Sequence, residues 1–136
     1  MALEDKHVDI LQSIEGGIVG VYRENSSLRD QDVIKALDVI IAYYRAIDTR
    51  KEFKMSEEIS AKEKSIFDRV TGFLGLREEL IGENPAPKRK SFSRALRTTT
   101  KEEIYLACLR KIKKSAIRWN KRNGENGYLD FVKNYA

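Results

Sequence analysis

Proline occurs at two of the 136 positions, Pro85 and Pro87, and both stand in the run Gly82-Glu-Asn-Pro-Ala-Pro. Everywhere else the chain lacks the residue that removes a backbone donor and clashes with the preceding helical turn. Long helices are therefore permitted on both sides of one break. The apolar residues use that freedom, recurring at spacings of three and four in four separate places.

The first such run extends from about Leu3 to Glu24, with Val8, Leu11, Ile14, Ile18 and Val21 on one face and Asn25-Ser-Ser closing it. The second runs from Leu28 or Asp30 to Arg50 and carries Val33, Leu37, Ile40, Ile41, Tyr44 and Ile47, with Ser27 or Asp30 as N-cap. A third opens at Ser56 or Ser60, the latter three residues before Glu63 as a capping box. It carries Ile59, Ile66, Phe67, Val70, Phe73, Leu74, Leu80 and Ile81 up to Gly82. The fourth opens at Thr100, again with a glutamate, Glu103, three residues on. Its stripe is Tyr105, Cys108, Leu109, Ile112, Ala116 and Trp119, and Asn123-Gly124 ends it. A short fifth element holds Tyr128, Phe131, Val132 and Tyr135.

No segment alternates as a half-buried strand does. The expectation is an all-α fold, a bundle of four main helices plus a short C-terminal helix in one domain spanning 1–136. Within it, residues 1–81 form a three-helix part, 82–99 a basic connection and 100–136 the remainder. Short links between the first three helices favour antiparallel neighbours.

Leu3-Glu-Asp-Lys-His-Val-Asp-Ile-Leu-Gln and Asp32-Val-Ile-Lys-Ala-Leu-Asp-Val-Ile-Ile-Ala-Tyr-Tyr-Arg resemble the opening of small, uncharacterised all-helical prokaryotic proteins. The resemblance covers the first two helices. It implies a helical fold, and such a family has no assigned activity to carry over.

Charge divides the chain at the prolines. Residues 1–81 hold 12 Lys/Arg against 16 Asp/Glu, whereas residues 82–136 hold 14 against 5. In the fourth helix Arg110, Lys114, Arg118 and Arg122 climb one face in steps of four, widened by Lys111, Lys113 and Lys121. Like charges at this spacing repel, so the face calls for an acidic partner: nucleic acid, an anionic membrane surface, or acidic protein. Leu106 and Ile117 are expected to project within the basic face and to be covered there in an oligomer. Lys88, Arg89, Lys90, Arg94 and Arg97 add a basic arm in which Phe92 could stack on a base. The start of the fourth helix at Thr98-Thr-Thr100 offers an anion site only weakly, because Glu102 and Glu103 put two negative charges in its first turn.

Gly16, Gly17 and Gly20 lie inside the first helix, each at a cost of about 1 kcal/mol against alanine. Gly16 and Gly20 share a face, so a close helix crossing or a dimer contact is expected there.

Catalytic readings find little. The carboxylates Glu57, Glu58, Glu63, Glu78 and Glu79 lack the paired spacing of Mg²⁺-binding helices, and Glu-x-x-His is absent. There is no nucleophile elbow, phosphate loop or dinucleotide fingerprint. The single cysteine, Cys108, falls on an apolar stripe, and the single histidine, His7, stands beside Asp5 and Asp9. The sequence therefore reads as non-catalytic, with no metal or cofactor. One cysteine and no charge-free stretch near the roughly 20 residues of a membrane span suggest a cytoplasmic setting. The expected role is a homodimeric protein-interaction or structural module. The alternative is nucleic-acid binding through the basic surface of residues 88–122.

Overall fold

The computed structural model describes residues 5–76 and 100–134, and within them the chain is all helix and connections. The helices are α1 (Asp5–Glu24), α2 (Asp30–Asp48), α3 (Ala61–Leu76), α4 (Lys101–Asn123) and α5 (Gly127–Lys133). Four main helices and one short C-terminal helix form a bundle around a single core. Ile10, Ile14, Ile18, Val33, Leu37, Ile40, Ile66, Val70, Leu74, Leu109 and Leu129 meet there, each at most fractionally exposed.

The helix ends follow local chemistry. The Thr100 hydroxyl accepts from the Glu103 N–H at 3.2 Å, and the Ser60 hydroxyl accepts from the Glu63 N–H at 3.1 Å. At α2 the cap is Arg29, not Ser27 or Asp30, and the Arg29 N–H donates to the Asp32 carboxylate at 2.9 Å. Asp30 is drawn inward instead, where its carboxylate accepts from the first-turn amides of α5. α2 finishes with Arg50 at φ 56°, the Arg50 N–H bonding to the Ile47 carbonyl and the Lys51 N–H to the Ala46 carbonyl. That pair of bonds closes a Schellman motif in which arginine holds the left-handed position usually given to glycine.

The order of packing departs from the antiparallel neighbours expected of short links. α1 packs on α3 and α4, and α2 on α3 and α4, so α1 and α2 face each other across the diagonal. The five-residue link 25–29 crosses that diagonal. Its reach of about 17 Å exceeds the roughly 14 Å between opposite corners of a bundle with 10 Å sides. α2 and α3 also run parallel. Lys62 at the start of α3 donates to the Ser27 carbonyl at 3.1 Å beside the start of α2, whereas Leu74 near its end accepts from the Tyr105 hydroxyl at 3.3 Å. Tyr105 lies early in α4, which begins where α2 ends, the Thr100 hydroxyl donating to Asp48 at 3.2 Å. The connection 49–60 must therefore return along the length of the bundle. It is held on the way by Phe53, whose ring stacks on Phe67 and meets Tyr43 edge-on.

Candidate functional site

α4 lies antiparallel to α2, clamped at both ends: Thr100 to Asp48, and Asn120 to Asp30 at 3.1 Å. Its buried side carries Tyr105, Cys108, Leu109, Ile112 and Ala116. At about 100° per residue the opposite arc holds Ala107, Arg110, Lys111, Lys114, Ile117, Arg118, Lys121 and Arg122, and all eight are exposed. Six of these are cations, and α4 holds no carboxylate after Glu103. Among the described residues no carboxylate pairs with any of the six. From Arg110 to Arg122 the stripe extends about 18 Å at 1.5 Å per residue.

Lys113 is separated from this set. It faces α2 and forms an ion pair with Asp38. Its position shows which flank of α4 the neighbouring helix covers, and it corrects the expectation for Leu106, which shares that flank nearly two turns earlier. Leu106 is only 5% exposed, buried within this chain and not available to an oligomer. Ile117, three turns beyond Leu106, is 40% exposed.

Between α2 and α4 the surface dips into a groove whose apolar lining is Ile41, Ala42 and Ile117 and whose cations unpaired among the described residues are Arg45, Arg110 and Lys114. The Lys113–Asp38 pair joins its two walls. Arg45 and Ile41 were not legible as surface partners of the basic stripe, because only the pairing of α2 with α4 brings them there.

The glycines of α1 face α3. A Cβ built on Gly17 would stand 3.2 Å from Val70 Cγ2 and 3.5 Å from its Cα, and one on Gly20 would stand 2.7 Å from the Arg69 guanidinium. That guanidinium crosses α1 to bond Glu24 at 2.6 Å. Gly16, by contrast, meets only the edge of Phe73 at 4.0 Å. The close approach to α3 thus falls at Gly17 and Gly20, whereas Gly16 stands clear of it.

Thr100 spends its hydroxyl on Glu103 N–H and Asp48, which leaves a carboxylate where an anion would have to sit. Lys88, Arg89, Lys90, Arg94 and Arg97 lie outside the described residues. Cys108 is buried, its thiol 3.8 Å from the His7 carbonyl, and burial pushes its pKa up from 9.0 to about 11. A thiol so held is not a ready nucleophile. Among the described residues no cluster of His, Cys, Asp and Glu could hold a metal ion, and no helix is long and apolar enough to cross a membrane.

No protein-family model, no curated protein and no solved structure matches this chain at a significant level.

Proposed function

We propose that this chain is a non-catalytic interaction module that holds an acidic protein partner on the exposed face of α4. One observation carries the reading: six exposed cations over three turns with no carboxylate among them. Cations three and four residues apart repel by a few tenths of a kcal/mol per pair, so the face works against its own helix until an anionic surface covers it. The partner is sought in a molecule of opposite charge and not in a symmetric dimer. A two-fold contact through α4 would set cation against cation, and of Gly16, Gly20, Leu106 and Ile117 only Ile117 combines a large apolar side chain with exposure.

The test is anisotropy titration of a labelled polyglutamate chain with the full protein at rising salt. Binding is expected to weaken steeply with salt and to fall about tenfold or more in an Arg118→Glu, Arg122→Glu double variant of unchanged helicity. Affinity indifferent to both would overturn the reading.

The second reading is nucleic-acid binding through residues 88–122. It draws on the same acid-free stripe together with the basic run Lys88-Arg89-Lys90 that precedes it in the sequence. Engagement of six phosphates by the stripe would give a log–log salt slope of about −5 on duplex DNA.

A further inference from the structure

We propose that the groove between α2 and α4 is the seat of an acidic amphipathic helix from the partner chain; this rests on the reading of α4 as an acidic-partner surface and names the partner's form. The basic stripe alone would suit any polyanion. The groove adds something a phosphate backbone does not use, apolar side chains in its lining. Ile41 comes from α2 and is half-buried, Ala42 beside it is exposed, and Ile117 rises from α4 with 40% of its surface in solvent.

The two helices that form the groove are antiparallel and side by side, so the depression follows their common axis. A helix laid along it would set residues spaced by three and four against Ile41, Ala42 and Ile117, the spacing at which an amphipathic helix presents its anchors. Flanking carboxylates would then meet Arg45 from α2 and Arg110 and Lys114 from α4. Among the described residues none of these three cations has a carboxylate partner, whereas Lys113 already has Asp38. The groove thus offers unpaired positive charge from both helices beside exposed apolar side chains, the complement of a helix with an apolar seam between two acidic edges. Nucleic acid would leave Ile117 and Ile41 facing sugars and phosphates, gaining nothing from their exposure.

The experiment titrates the full chain against three labelled probes. These are a 16-residue helical peptide with leucines at spacings of three and four flanked by glutamates, the same peptide with every leucine replaced by serine, and a duplex DNA of equal charge. The leucine peptide is expected to bind about tenfold more tightly than the serine peptide. Ile117→Asp is expected to remove most of that advantage. Ala42→Glu, at an exposed helical position where glutamate is well tolerated, is expected to do the same from the other wall.

Equal affinity for the two peptides, unaltered by both variants, would overturn the groove. The basic-face reading would still stand if binding stayed salt-sensitive and weakened with Arg118→Glu and Arg122→Glu. Duplex DNA that displaces the peptide with no response to Ile117→Asp or Ala42→Glu would overturn the groove in favour of phosphate binding. Failure of all three probes to bind at low salt would overturn the groove and the basic-face reading together.

Discussion

Asp30 carries two helix starts at once. Its carboxylate is fully buried and accepts from the Tyr128 N–H at 2.9 Å, the Leu129 N–H at 3.0 Å and the Asn120 side chain at 3.1 Å, while its own N–H donates to the Glu125 carbonyl at 2.9 Å. Two of those donors are the otherwise unsatisfied amides of the first turn of α5, so Asp30 in α2 caps a helix nearly a hundred residues away. Asp30→Ala is expected to lower stability by about 3 kcal/mol in urea unfolding, with Asp30→Asn in between, because three donors lose a charged acceptor inside the protein. Gly127 sits in the same corner. A Cβ there would overlap the Trp119 carbonyl oxygen, so α5 could not keep its place against α4. Gly127→Ala is expected to cost about 2–3 kcal/mol, read from the same unfolding curves. At Asp30 the sequence announces a helix start, and the acidic side chain at such a start is ordinarily read as a local cap. Nothing local tells that its donors lie beyond residue 119.

Among the elements, the crossing of α1 and α3 shows where local pattern stops being sufficient. Three glycines within five residues announce a close approach, and α3 supplies it through Val70 and Arg69. Which glycine bears the contact depends on the angle of the crossing, which periodicity does not contain. The structure gives opposite outcomes for neighbours. Gly16→Ala is expected to raise stability by up to about 1 kcal/mol, since its Cβ would meet only Phe73 at ordinary contact distance. Gly17→Ala is expected to lower it, because its Cβ would crowd the Val70 side chain at 3.2 Å, and Val70 is fully buried with little room to give. Thermal melts of the two variants check this difference in sign. The helices themselves were legible: the starts at Thr100 and Ser60 and the stop at Gly124 carry their signals in side-chain hydroxyls and in a glycine at φ 89°. At α2 the signal misled, since Asp30 and Ser27 are both better caps than Arg29, and burial of Asp30 against α5 outweighed that preference.

For the whole molecule, burial of neutral titratable groups sets a limit on the basic side of pH. The Cys108 thiol is raised from 9.0 to about 11 by burial, against a smaller opposing pull from Lys111. Tyr22 is raised above its ordinary 10.0 by burial and then by its hydrogen bond to Asp130. In both cases the unfolded chain releases its proton first. The stability held by the neutral forms is therefore complete below about pH 9 and declines as pH rises through the folded values. Urea midpoints are expected to fall between pH 9 and 11, and to fall less in Cys108→Ala after its own destabilisation is subtracted.

The sequence by itself determined that this chain would be helical, that α3 and α4 would open at Ser60 and Thr100, that α4 would stop at Gly124, and that it would bear a cationic face. These are properties of residues within one or two turns of each other: apolar spacing, hydroxyl caps, and the absence of proline outside one site. Only the tertiary structure decided that α1 and α2 stand on a diagonal, that α2 and α3 run parallel, and that Leu106 is buried while Ile117 lies open beside Arg45. Those outcomes depend on which apolar faces meet, and a helix's stripe specifies a direction to be buried without naming the helix that will bury it.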